Sequence, residues 1–137
     1  MLTQIFSKIN PEKLLHSVYR PSDKSSRIDL APPEQFLQLS IINPLHGKKY
    51  DKHFHIWKTP SFDRTIAQES WVIISGSVKV SFYDTDNQLL QEEIIGPGEC
   101  SMTFEGGHTY EILEENTSIY EFKTGPYNGR ENDKQFF

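Results

Sequence analysis

From residue 36 onward, apolar and polar positions alternate in short runs separated by turn-forming residues. Over 36–42, Leu37, Leu39 and Ile41 alternate with Gln38 and Ser40, and over 71–83 two β-rich runs are split by Ser75-Gly76-Ser77. A period of two is that of a strand with one face turned to a core. Asp84-Thr85-Asp86-Asn87 forms a polar hairpin loop ahead of a run over 89–95, and Gly96-Pro97-Gly98 turns the chain into 100–104. Gly106-Gly107 permits a tight reversal that brings His108 onto a strand over 109–113, and one more run covers 118–123. Strands at this spacing predict an all-β antiparallel sandwich or barrel. The segment before them reads differently. Over 11–19, Asn10 can cap a helix, Pro11 suits its first turn, Glu12 favours its positive end, and Leu14, Leu15, Val18 and Tyr19 make one apolar stripe. This predicts a short N-terminal helix on the outside of the barrel, with His16 a packing or surface residue beside the stripe. Residues 21–33 are rich in Ser, Asp, Lys and Pro and read as a loop. The expected organisation is an N-terminal helix and extended arm over 1–35 and a β-barrel domain over 36–137.

Composition narrows this picture without changing it. A chain of 137 residues, 36% hydrophobic, suffices for one domain with a real core, and its 9 Phe and 6 Tyr favour strands. A net charge of −5 argues against a nucleic-acid partner, which would require a basic face. Cys100 is the one cysteine, so no internal disulfide forms, and this fits a reducing, cytoplasmic setting. No stretch is long and apolar enough to cross a membrane, and the first residues lack the layout of a signal peptide.

The candidate chemistry lies in four residues. On a strand, His53 and His55 point to the same face and form a ready pair of metal ligands. Glu69 opens a second run and His108 a third, so three imidazoles and a carboxylate converge if the strands pair. Such a donor set suits a borderline divalent ion: Fe, Mn, Ni, Co, Cu or Zn. Alternation places Trp71 and Ile73 with Glu69, Tyr110 and Ile112 with His108, and Trp57 with the histidine pair, as an aromatic wall around a few polar groups. Gln68 is expected to face the opposite side from Glu69, unless a bulge exchanges the two. Residues 56–68 have no clear period and are expected at the rim of the pocket, where Arg64 would offer its planar fork to a substrate carboxylate or phosphate. The competing role for Arg64 is a passive pairing with Asp63 or Glu99.

Gly47, five residues, His53-x-His55, and Glu69 followed after six residues by Gly76 resemble the first motif of the cupin family; Gly98 leading to His108 resembles the second. Two departures stand out. Thirteen residues separate His55 from Glu69, where the family has three or four, and Thr103 occupies the place of the second motif's proline. The run 119–127, ending in Glu121-x-Lys123-x-Gly125-Pro126-Tyr127, is similar to the small WbuC-type cupins associated with surface-polysaccharide synthesis. The resemblance implies a double-stranded β-helix (jelly roll), a divalent metal held by His53, His55, Glu69 and His108, a small sugar-related substrate, and a homodimer. Three functions fit: a metalloenzyme isomerising, epimerising or oxidising a small polar substrate; a metal-free isomerase or epimerase with a histidine base and Tyr110 as acid; and a non-catalytic small-ligand binder. Fold likeness alone does not choose among them.

Overall fold

The computed structural model describes residues 1–22, 25, 27–57 and 64–137. Among the described residues ten strands follow one another: β1 (Leu2–Phe6), β2 (Leu14–Tyr19), β3 (Arg27–Asp29), β4 (Ser40–Ile42), β5 (Glu69–Ser75), β6 (Val78–Tyr83), β7 (Leu89–Ile95), β8 (Cys100–Thr103), β9 (Gly107–Ile112) and β10 (Ser118–Lys123). A single 3-10 turn, Arg130–Asn132, follows them. All pairings are antiparallel, so the all-β expectation holds. Five strands in the order β1-β2-β8-β5-β10 form one sheet, β7-β6-β9 a second, and β3-β4 a small ribbon.

The expected N-terminal helix is absent. Residues 14–19 are strand β2, paired with β1 on one side and β8 on the other. Leu15, His16, Ser17, Val18 and Tyr19 are all buried, so both faces of the strand are covered. An apolar stripe and a doubly covered strand leave the same short sequence signature, and pairing from elsewhere in the chain decides between them. Phe36 to Leu39 likewise lie outside any strand, β4 being confined to Ser40–Ile42. The later elements follow the expected plan, with β7 and β10 spanning the residues that alternation indicated.

Two apolar layers result. Ile5, Val18, Ile73, Val78, Val80, Phe82 and Ile95 pack between the two larger sheets, with Trp71, Tyr110 and Ile119 against them. On the other face of the five-stranded sheet, Tyr19, Cys100, Met102 and Phe104 are covered by Leu30 and Ala31 and by Ile28, Leu39 and Ile41 of the β3–β4 region. One face of β5 and β8 is therefore covered by an outer core, and the other, with Ile119 of β10, looks into the gap between the sheets. The candidate site forms in that gap.

Candidate functional site

Strand parity brings the site together. On β5, Glu69, Trp71 and Ile73 face the second sheet, and the β10 residues paired with them are Lys123, Glu121 and Ile119. On β9, His108 and Tyr110 oppose Phe82 and Val80 of β6. Glu69 and His108 therefore meet across the gap, with His108 Nε2 3.1 Å from Glu69 Oε1. The Trp71 and Tyr110 rings stack with centroids 3.7 Å apart and planes 1° from parallel. Tyr110 Oη is 3.0 Å from Ser101 Oγ of β8, which fixes the phenol in place. Next to this pair, His16 is fully buried, with Nδ1 3.1 Å from Thr103 Oγ1 and Nε2 3.0 Å from the Tyr83 carbonyl.

The electrostatics follow from this packing. Burial disfavours the Glu69 carboxylate, but the His108 hydrogen bond and charge, helped by Glu121 and Lys134, outweigh it and hold the carboxyl at about 2. Glu121 moves the other way: burial and the neighbouring Glu69 carboxylate raise it. Burial also raises the Tyr110 phenol well above its ordinary value despite the Ser101 bond, so the phenol keeps its proton. Burial pulls His16 down to about 4, against the contrary effect of the Tyr83 carbonyl. Two nitrogens on the site residues, His108 Nδ1 and Trp71 Nε1, are buried and have no hydrogen-bond partner among the described residues. A buried polar group without a partner costs about 1–3 kcal/mol.

The other sequence candidates lie elsewhere. His53 and His55 sit in no strand; they are exposed, with ring centroids 5.3 Å apart, and His53 Nδ1 contacts the Asp51 carbonyl at 2.8 Å. Trp57, expected in the wall, is fully exposed, and Ile112 is half exposed, while Ile73 lies in the core. Among the described residues no three His, Cys, Asp or Glu side chains are placed to share a metal ion. Of the 56–68 insertion, residues 58–63 lie outside the described part, including the Asp63 proposed for Arg64. Arg64 lines a separate surface cavity of about 400 Å³ with Glu12, Glu34 and Gln68, which Glu69, His108 and Tyr110 do not border. Gln68 faces away from Glu69 as expected: its Oε1 accepts from the Leu37 backbone N–H at 2.7 Å.

Sequence reasoning passed over two contributors. Glu121 alternates with Lys123 and Ile119 on β10, so the parity that selected Trp71 and Tyr110 would also have found it. Lys134, 3.9 Å from Glu69 Oε2, sits in a tail without periodicity, and no pattern marked it. Comparison with protein-family models, with curated proteins and with solved structures returns no match to this chain. No helix among the described residues is long and apolar enough to cross a membrane.

Proposed function

We propose that this chain is a metal-binding protein of the cupin type, a jelly roll whose working end is the mouth at Glu69 and His108, acting on a small polar, sugar-related substrate. The observation that supports this reading is the Glu69–His108 pair. Two donors that each stand about 2.1 Å from one ion and subtend 90–109° at it are about 3.0–3.4 Å apart; Oε1 and Nε2 are 3.1 Å apart. Half of the donor set is thus at ligand spacing. The other half, His53 and His55, belongs to an extended segment with no strand partner, and β9 is paired on one edge only among the described residues. Pairing of that segment with the free edge of β9 would align its alternate side chains with those of His108 and Tyr110. Bound by these four residues, a divalent ion supplies Lewis-acid polarisation of a hydroxyl or carbonyl. The chain's own part is to present the Trp71–Tyr110 stack as an apolar wall for a sugar ring and to hold the Tyr110 hydroxyl on Ser101.

The test is the metal content of protein purified without chelator. About one ion per chain is expected, lost in His55→Ala and in His108→Ala while the melting transition persists. Metal-free protein from metal-replete cells would overturn the reading.

His108 Nδ1 favours a second reading. With ionised Glu69 accepting from Nε2–H, the lone pair lies on the buried Nδ1, which has no partner among the described residues. This reading requires the gap to open so that a substrate carbon reaches Nδ1; that nitrogen would then take a proton while Glu69 stabilises the imidazolium, and the Tyr110 phenol, kept protonated by burial, would return one. This is the chemistry of a metal-free isomerase or epimerase, and it requires activity that survives chelation. Turnover of any sugar substrate separates both readings from a non-catalytic binder. The same proposal includes a cytoplasmic homodimer.

A further inference from the structure

After β10 the chain does not leave the molecule. Lys123 Nζ holds Asp133 Oδ2 at 2.6 Å, Lys134 Nζ reaches Glu69 Oε2 at 3.9 Å, and the Phe137 ring packs against Tyr83 with centroids 5.3 Å apart. The fit of Phe137 over β9 is close: a Cβ on Gly107 would lie 2.7 Å from its ring. Residues 123–137 therefore cross the end of the gap, from β10 past Glu69 of β5 to Tyr83 of β6 and Gly107 of β9.

Between this segment and β10 lies a cavity of about 590 Å³ lined by Glu121, Lys123, Tyr127, Arg130 and Lys134. Three of its five lining residues are cations, on a chain whose net charge is −5. They are not equally engaged. Lys123 is held by Asp133 and lies over the Tyr127 ring, 4.2 Å from its centroid. Lys134 is at the outer limit of an ion pair with Glu69. The Arg130 guanidinium stacks on Phe136, 4.5 Å from the ring centroid, and joins no ion pair among the described residues. Its donors are thus not taken up by an ion pair, and arginine binds a carboxylate or phosphate through two parallel hydrogen bonds. Glu121 is the one acid in the lining.

We infer that Arg130 and Lys134, with Lys123 and Tyr127 behind them, form a subsite for an anionic oxygen group, a phosphate or a carboxylate, on the small molecule that enters the Glu69–His108 mouth. This rests on the reading of that mouth as the working end. It moves to Arg130 the role that sequence spacing gave to Arg64. The sugar-like part of the ligand lies towards Trp71 and Tyr110, and the anionic group stays at the rim under the C-terminal segment.

Calorimetric titration of the full chain with glucose 1-phosphate, glucuronate, glucose and inorganic phosphate tests it. At least one anionic sugar is expected to bind about tenfold or more tightly than glucose, and the tighter of the two identifies phosphate or carboxylate as the group. Arg130→Gln and Lys134→Gln should each remove most of that advantage, whereas Lys79→Gln, in the outward-facing pair with Glu92, should remove none. Equal binding of charged and neutral sugars, no binding of any anionic probe, or an advantage that survives Arg130→Gln overturns the subsite. Anion binding that depends on Arg130 but leaves the Trp71 indole N–H resonance unmoved overturns its link to the mouth. Metal content in Arg130→Gln stays at the wild-type level if only the subsite is lost, so its failure is distinguishable from failure of the metal reading.

Discussion

At the scale of single residues, the gap between the sheets combines a fixed carboxylate–imidazole pair with a histidine that folding forces to stay neutral. His16 is fully buried between Thr103, Tyr83 and Phe82, and its pKa falls from 6.5 to about 4. In the unfolded chain it takes up a proton below about pH 6.5, and in the folded chain only below about 4. The unfolded state therefore binds more protons in that window, and stability falls as pH is lowered through it. The expected loss is about 2 kcal/mol between pH 7.5 and pH 5 and about 3 kcal/mol by pH 4, since each tenfold change in proton affinity is worth about 1.4 kcal/mol. Urea unfolding at these pH values measures it, and His16→Gln should flatten the slope. Glu69, His108, Trp71 and Tyr110 were legible in the sequence because each lies on a run whose alternation survives folding. His53 and His55 alternate just as cleanly, yet their segment has no strand partner here, and a strand's backbone needs a partner that local pattern does not supply.

Elements show the same division between what is local and what is not. Turn chemistry located β6, β7 and the start of β8, because Gly, Pro, Asn and Asp constrain the backbone wherever they stand. Gly106 is one such position: its φ is +84°, and a Cβ there would lie 2.5 Å from the Tyr83 carbonyl oxygen and 3.1 Å from His16 Nε2. Gly106→Ala is expected to cost at least about 1 kcal/mol of stability and to disturb the His16–Tyr83 bond, visible as a shift of the His16 imidazole resonances. Strand β2 was not legible. Its Leu14-Leu15 and Val18-Tyr19 spacing matches a helical stripe, and only β1 and β8 on its two edges make it a strand. If it is central to the five-stranded sheet, Leu15→Ala should cost about 2–5 kcal/mol, the range for a fully buried leucine, with the amide of Val18 exchanging as slowly as those of β8. Circular dichroism of a helix over these residues, or rapid exchange there, would contradict the assignment.

At the scale of the molecule, exposed apolar side chains occur over much of the surface, and one run of them adjoins the two histidines of the proposed metal site. Phe54, Ile56 and Trp57 are largely or fully exposed beside the two unplaced histidines, a cost that docking onto a sheet edge would remove. The proposed homodimer predicts twice the 15.9 kDa chain mass by light scattering at micromolar concentration; a monomer mass would refute it. The proposed function requires one divalent ion to draw His53 and His55 to the Glu69–His108 mouth. Its most direct measurement is the imidazole NMR spectrum of the five histidines during titration of metal-stripped protein with Mn²⁺, whose unpaired electrons broaden nearby resonances. His53, His55 and His108 are expected to broaden together at about one equivalent, with the Trp71 indole, while His46 stays sharp. Broadening of His46 to the same degree, or of His108 alone with His53 and His55 unaffected, would contradict it.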